Sequence, residues 1–289
     1  MRSFRHFTVI DWSGEAVARP KGLAVAHAVA GRSAPALVHR DGGWSREAIL
    51  AEIVRHAEAG SDLLIGVDLS PGLPHVDRGG YFPGFADAPR DARTLWRMVD
   101  DLSTDSPHLS AAGFLAHPDI HLHFRHQAGT GTAFEGGRGR LRACEEEQRR
   151  VGLSPSSCFN LIGAAQVGKS SLTGMRVLHR LAGRVPVWPF DPVPETGPLI
   201  VEIYTTIAAR DAGIARGRSK MRDRASLDAA LANLGSNAPS PLPRYDDHST
   251  DAILTAAWLR IAADRPALWS PSALTPTIAR TEGWTFGVP

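Results

Sequence analysis

The chain has 289 residues, of which 43% are hydrophobic and 21% are charged. This length can bury a substantial core, as one large domain or two small ones, and the composition excludes general disorder. The formal net charge is only +2 at pH 7, so any attraction to nucleic acid must come from local clusters of basic residues.

The chain contains two cysteines, Cys144 and Cys158. Two are too few for a disulfide scaffold or for a zinc site built from four thiolates. We expect both to be reduced thiols in a cytoplasmic protein. The N-terminus has no long apolar core before Asp11, so we expect no secretory signal. No stretch approaches about 18 consecutive apolar residues, so we expect no membrane span.

The N-terminal 70 residues are predicted to form three strands, a helix and a fourth strand. A short apolar run ends at Asp11 before a Ser-Gly turn, and two further strands, over 22–30 and in PALVHR, complete a meander. Ser45 is a candidate N-cap for a helix that Gly60 ends. The fourth strand is a continuous apolar run that ends in Asp68.

The next part of the chain, at about 75–157, has a weak pattern and is interpreted as an irregular insertion after the fourth strand of a single domain, 1–289. Loops and short elements in such insertions often carry specificity. We expect a helical piece near 92–102 and a closing helix over 141–151. The alternating segment HLHFRH favours a strand with one polar face over a zinc site, since no cysteine or fourth ligand is near.

The C-terminal part begins with a predicted helix over 170–181, followed by the proline-rich connection WPFDPVPETGP. A strand over 199–205 then carries Glu202 among apolar residues. A polar, basic helical region follows, and the last long helix has Asp247 and Asp251 at its start.

Acidic residues therefore end or interrupt three predicted elements and begin a fourth. The carboxyl edge of a parallel sheet is where α/β folds place ligands. Taken alone, Asp11 or Asp68 is more often a turn former or an N-cap. Glu202 is different, because a charged side chain inside an apolar strand needs a partner or a metal. The combination predicts a carboxylate site.

Without the insertion, the element order is β-β-β-α-β-α-β-α, which resembles the ribonuclease H-like fold. The chain also resembles the domain of unknown function 429 family, whose members are described as predicted ribonuclease H-like nucleases, in the motifs VIDWSG, GVDLSPGLP, VWPF, VEIYTT, DDHSTDAILTAA and EGWTFG. The resemblance covers most of the chain outside about 78–140. It departs from the family at Thr205, where a proline usually follows the tyrosine.

The resemblance implies an α/β fold with a mixed five-stranded sheet flanked by helices, and a nuclease that uses Mg²⁺ or Mn²⁺. Carboxylate oxygens suit these ions, and two ions about 4 Å apart can activate water and stabilise the leaving oxygen. In this hypothesis Asp11 bridges the metal ions, Asp68 and Asp251 each hold one, and Glu202 is an outer ligand or positions water. Asp247 lies one helical turn before Asp251 and could share its face of the helix, and His248 could serve as a proton shuttle. For His248, an ordinary position at a helix start is the commoner explanation.

A rival motif lies in GAAQVGKS, from Gly163 to Ser170, which satisfies the phosphate-loop pattern GxxxxGKS before a predicted helix. It favours a nucleotide-binding NTPase as the alternative. No clean apolar strand ending in an acid follows it, since Glu202 lies inside its strand. A third reading is that Lys169 and Ser170, with His248, contact a substrate phosphate at a helix start.

Two basic runs are candidate contacts for a nucleic acid or phosphoester substrate. They comprise Arg138, Arg140, Arg142, Arg149 and Arg150, and then Arg216, Arg218, Lys220, Arg222 and Arg224. Solvated helix faces explain both runs equally well. A non-catalytic binding protein with the same fold is also consistent with the sequence, which predicts no oligomeric state.

Overall fold

The structure is a computed structural model that describes residues 2–127, 129–163, 166–215 and 221–289. The described residues form one mixed six-stranded sheet with helices on both faces. In chain order, the strands are β1 (His6–Asp11), β2 (Ala24–Val29), β3 (Ala36–Leu37), β4 (Leu63–Val67), β5 (Val187–Trp188) and β6 (Leu199–Glu202).

Ten α-helices occur in the described part of the chain. They are α1 (Arg46–Glu58), α2 (Ala92–Asp101), α3 (Ala112–Ala116), α4 (Pro118–His121), α5 (Ala143–Arg150), α6 (Val167–Arg180), α7 (Thr205–Asp211), α8 (Arg224–Asn233), α9 (Asp247–Ala262) and α10 (Pro276–Thr281). Short 3₁₀ turns cover 107–109, 132–134 and 266–269. The longest helix, α9, has 16 residues, and none in these ranges is long and apolar enough to cross a membrane.

The sheet has the strand order β3-β2-β1-β4-β6-β5. The first three strands form the predicted antiparallel meander, and β4 lies parallel to both β1 and β6. Because β1, β4 and β6 run in the same direction, their carboxyl ends share one edge. The backbone N–H of Asp68 donates to Ile10 O at 3.0 Å, which places Asp68 beside Asp11.

The mixed α/β architecture is as predicted, but the sheet has six strands rather than five. The additional strand, β5, pairs in parallel with β6 at the edge of the sheet. Trp188, its second residue, is the first residue of the predicted proline-rich connection, and Pro186 and Pro189 flank the strand. An edge strand tolerates flanking prolines because its outer side needs no N–H donors.

Three local predictions were wrong. The strand predicted over 199–205 ends at Glu202, so Glu202 is its last residue rather than an interior one, and α7 begins at Thr205. The third strand is only two residues long, Ala36–Leu37. HLHFRH is not a strand: α4 begins at Pro118, which suits the first turn of a helix, and ends at His121. A turn then directs His123 inward, where it is 6% exposed and its ring lies 5.4 Å from that of Phe82.

The two faces of the sheet carry separate apolar cores. Ile10 and Ile200 belong to the core shared with α1, α2 and α6, whereas Val9 belongs to the core shared with α7 and α9. Side chains alternate between faces along a strand. Asp11 therefore lies on the α9 face, with Val9, and Glu202 lies on the opposite face, with Ile200.

Helix starts match the local chemistry of capping. Ser45 caps α1 by accepting from the N–H of Ala48 at 3.1 Å, as predicted, and Gly60 follows the helix with φ +59°. Asp246 caps α9 by accepting from the N–H of Ser249 at 2.9 Å. The helix predicted from 170 instead begins at Val167, so its first turn reaches the same edge of the sheet.

The turn after β1 packs directly on this first turn of α6. A Cβ at Gly14 would lie 2.4 Å from both the carbonyl carbon of Lys169 and the nitrogen of Ser170. Trp12 Nε1 donates to Thr173 Oγ1 at 3.0 Å. Only a residue without a side chain permits this approach, which fixes the turn beyond Asp11.

We expect Gly14→Ala to destabilise the protein by about 1–3 kcal/mol, because the added methyl meets rigid backbone. The matched control is Gly80→Ala, where a Cβ would meet nothing within 4 Å and we expect a change within about 0.5 kcal/mol. Urea unfolding measures both free energies. Equal stability of the two variants would contradict the close packing.

Candidate active site

The predicted carboxylate site forms around Asp11, which is 7% exposed. His248 Nδ1 lies 2.6 Å from Asp11 Oδ2, and the Asp68 carboxyl also hydrogen-bonds with Asp11. These three side chains come from β1, from the end of β4 and from the first turn of α9. The structure therefore joins residues that are up to 237 positions apart in the chain.

The electrostatics of this group follow from burial and repulsion. Burial raises the pKa of Asp11, although the hydrogen bond from His248 opposes the shift. Burial, followed by the charges of Asp11 and Asp251, raises the pKa of Asp68 well above its usual value. The hydrogen bond to Asp11 raises the pKa of His248. The hydrogen bonds of Asp11 with His248 and with Asp68 thus partly offset the negative charge.

The two acidic residues in the first part of α9, Asp247 and Asp251, act on different groups. The charge of Asp251 contributes to the raised pKa values of Asp68 and His248. Asp247 forms an ion pair with Arg222 at 3.2 Å. Asp251, one turn further along the helix, therefore contributes charge to the site around Asp11.

Hard cations prefer carboxylate oxygens, so Asp11, Asp68 and Asp251 are donors of the right kind for Mg²⁺ or Mn²⁺. A cation would also relieve the repulsion that raises the pKa of Asp68. In the arrangement seen across the described residues, no three or more His, Cys, Asp or Glu side chains are placed to hold a metal ion. Asp11 instead directs its carboxylate to His248.

Glu202 is held apart from this group, although its charge also contributes to the raised pKa of Asp68. Its carboxylate is bound by both terminal nitrogens of Arg142, at 2.9 Å and 2.5 Å, and accepts from Thr285 Oγ1 at 2.8 Å. The reason is geometric, because Glu202 projects from the opposite face of the sheet to Asp11. The buried charge that the sequence assigned to a metal is thus neutralised by an arginine.

Arg142 is fully buried and holds a network of acids. Its Nε donates to Glu145 Oε1 at 3.1 Å, and its Nη1 donates to the backbone carbonyl of Glu282 at 3.0 Å. The Glu282 carboxylate accepts from the N–H groups of His75, Val76 and Ala143 at 2.6–2.8 Å. These contacts tie together β6, the start of α5, the loop after β4 and the C-terminal segment.

A pocket of about 260 Å³ opens between this network and Asp68. One wall is formed by the first turns of α6, with Ser170 and Ser171, and the other by Glu202 and Arg142. The remaining lining includes aromatic and polar side chains that can contact an organic substrate, namely Trp12, Ser70, Gln148, Gln166 and Tyr204.

The rival phosphate-loop segment is only partly described, since Ala164 and Ala165 lie outside the described residues. The N–H of Gly168 donates to Asn160 O at 3.1 Å, and the N–H of Lys169 to Gln166 O at 3.3 Å. A phosphate loop needs such amides to face its ligand. The Lys169 side chain is exposed, and Ser170 lines the pocket beside Asp68.

The basic runs do not form continuous described patches. Arg140 and Arg142 are buried, and Arg140 pairs with Asp77 at 2.6 Å. Arg149 and Arg150 pair with the adjacent Glu146 and Glu147. In the second run, Arg216, Arg218 and Lys220 lie outside the described residues, whereas Arg222 and Arg224 pair with Asp247 and Asp228 at 3.2 Å.

Several residues that shape the site were not identified from the sequence. Asp246 adds negative charge near Asp11 and His248, and its position three residues before Ser249 is a capping signal. Arg142 was interpreted only as part of a basic run. A buried acid predicted within β6 requires a partner, but no local signal identifies a residue 60 positions away as that partner.

Comparison of the chain with protein-family models, with curated proteins and with solved structures found no match.

We expect Arg142→Met to destabilise the protein by about 3–5 kcal/mol, because it leaves Glu202 and Glu145 buried without a counter-charge. Arg149→Met is the matched control, since its partner Glu146 is half exposed and such pairs contribute at most about 1 kcal/mol. Urea unfolding compares the variants. If Arg142→Met lowered the free energy of unfolding by no more than Arg149→Met does, the buried network would be dispensable for stability.

We also expect His248 to titrate above about pH 6.5, the usual value for histidine. Because the pKa of His248 is raised in the folded state, the protonated ring stabilises the fold at pH values below the unfolded-state pKa. This contribution is lost as the pH rises through the folded-state pKa. Ring resonances followed by NMR should show a lower pKa in Asp11→Asn. Asp105→Asn, in an exposed turn, is the control, and an unchanged His248 pKa in Asp11→Asn would refute the pairing.

Proposed function

We propose that the protein is a Mg²⁺- or Mn²⁺-dependent phosphodiester hydrolase, that is, a nuclease or a related phosphoesterase. The observation that carries this proposal is the convergence of Asp11, Asp68 and His248, with the charge of Asp251, at the carboxyl edge of the parallel strands. Repelling carboxyl groups in a partly enclosed site are the donor chemistry expected for such ions.

We further infer that the fold is ribonuclease H-like and that the chain is a member of the domain of unknown function 429 family. The order β3-β2-β1-β4-β6, with an antiparallel meander followed by parallel strands, supports the fold expected from the sequence motifs. β5 extends this arrangement at one edge. Because one fold serves many activities, the proposed chemistry depends on the site rather than on the topology.

In this proposal Asp11, Asp68 and Asp251 would hold the cation after a rearrangement of their side chains. When bound, the ion supplies charge that favours ionised water and stabilises the developing negative charge on phosphate and leaving oxygens. Asp11 must release its hydrogen bond with Asp68 to act as a ligand. Asp247, paired with Arg222, and Glu202, paired with Arg142, serve instead to fix the first turn of α9 and the end of β6.

His248 would move a proton at the edge of the site. Its Nδ1 is fixed by Asp11, and its side chain is 51% exposed, so Nε2 remains on the ring's other side for contact with substrate or water. An aspartate that orients a histidine in this way also stabilises the protonated ring. This geometry suits proton donation to a leaving oxygen.

The pocket beside Asp68 would bind the part of the substrate next to the scissile bond. Trp12 and Tyr204 offer aromatic surface, and Ser70 and Ser170 offer hydroxyl groups. Its volume of about 260 Å³ is below the range of about 300–1,000 Å³ typical of drug-sized ligands. A single terminal group, rather than a duplex, fits within it.

The test is hydrolysis of bis-p-nitrophenyl phosphate and of single-stranded DNA and RNA, with Mn²⁺ or with EDTA. We expect activity with Mn²⁺ and a loss of about 10³-fold in kcat for Asp11→Asn and Asp68→Asn, because an ion-stabilised transition state is worth several kcal/mol. Asp105→Asn, in an exposed turn, is the matched carboxylate control.

Calorimetric titration with Mn²⁺ separates binding from catalysis. Binding that is lost in Asp11→Asn and kept in Asp105→Asn supports the site. If the wild type neither binds Mn²⁺ nor cleaves any of these substrates, the proposal is wrong and a non-catalytic binding role is favoured. Activity that persists in Asp11→Asn would equally refute the assigned residues.

A further inference from the structure

A second pocket lies between α1 and the sheet, on the face opposite to Asp11. Its volume is about 230 Å³. Eight apolar side chains from the strands, α1 and the connection between them form its walls: Ile10, Val25, Val38, Trp44, Ile49, Ile53, Leu63 and Ile65. The proposed hydrolytic site uses none of them.

The size of this pocket defines what it can hold. An engineered apolar cavity of about 150 Å³ stays dry and binds benzene. A space of 230 Å³ accommodates such a ring with a substituent. Water is poorly stabilised in this pocket, because the apolar walls offer few hydrogen-bond partners.

The polar groups of the pocket are at one end. Thr8 Oγ1 and His27 Nδ1 are 3.0 Å apart on neighbouring strands, and His56 from α1 also lines the pocket. Glu52 and Arg55, which also line this end, form an ion pair with each other. The opposite charges of Glu52 and Arg55 therefore compensate each other within the protein.

Neither histidine adds a charge to this end of the pocket at neutral pH. Burial, with the neighbouring His6, lowers the pKa of His27, and burial, with Arg55, lowers the pKa of His56. An ionised ligand would find no uncompensated counter-charge among the lining residues. Both imidazoles already have protein partners, since His27 Nε2 lies 3.3 Å from His6 Nδ1 and His56 Nδ1 lies 3.0 Å from Ser61 Oγ. A neutral hydrogen-bonding group therefore suits the Thr8 hydroxyl, which has more than one hydrogen-bonding position.

We propose that this pocket binds a small neutral molecule with an aromatic or branched aliphatic body and one hydroxyl or carbonyl group. The body occupies the apolar space between α1 and the sheet, and the polar group meets the Thr8 hydroxyl. This arrangement, a largely apolar pocket with a few polar groups at one end, is that of ligand sites in general. The pocket is independent of the carboxylate site.

The first experiment is an NMR titration of the isoleucine methyl groups with p-cresol, because four isoleucines line the pocket. We expect saturable shifts with a Kd of about 1 mM or tighter, as for an efficient ligand of this size. Val38→Trp fills the opening from a position that is 37% exposed, and we expect it to weaken binding at least about tenfold.

Val17→Trp is the matched control, since Val17 is 40% exposed and does not line the pocket. Thr8→Val keeps the shape of the side chain but removes its hydroxyl. We expect wild type to prefer p-cresol over toluene by about three- to tenfold, the contribution of one hydrogen bond, and Thr8→Val to lose that preference. Absence of saturable shifts in wild type, or equal binding by Val38→Trp and Val17→Trp, would overturn the proposal.

Discussion

The structure depends most on one buried ion pair, in which both terminal nitrogens of Arg142 bind the carboxylate of Glu202. Neither charge is tolerable alone in the interior. Satisfying both fixes the end of β6 against the start of α5, and the backbone carbonyl of Glu282 completes the set of acceptors. The pocket beside Asp68 takes its shape from this network, so stability and site geometry are coupled there.

The sequence predicted correctly those features that are local or that follow from strand direction. Asp11 and Asp68 each follow a short apolar run, and parallel neighbours bring such ends together without further information. Ser45 and Gly60 bounded α1 because capping depends on a few adjacent residues. The hydrogen bond between His248 and Asp11 depends on how α9 packs on the sheet, which no local sequence signal predicts.

The sequence did not predict contacts set by side-chain alternation and long-range packing. Whether Glu202 faces α9 or α5 depends on its register with β4, where it lies opposite Val67. Its partner Arg142 sat in what resembled a basic surface run. The prolines around β5 also concealed an edge strand, since the proline rule applies to central strands and not to edges.

The two outermost strands, β3 and β5, have only two residues each. Exposed strand edges are templates on which other chains add by backbone hydrogen bonding. Here each outermost strand offers only two residues in regular extended geometry. The brevity of these strands therefore protects the folded protein from edge-to-edge aggregation, without requiring a charged gatekeeper residue on either border.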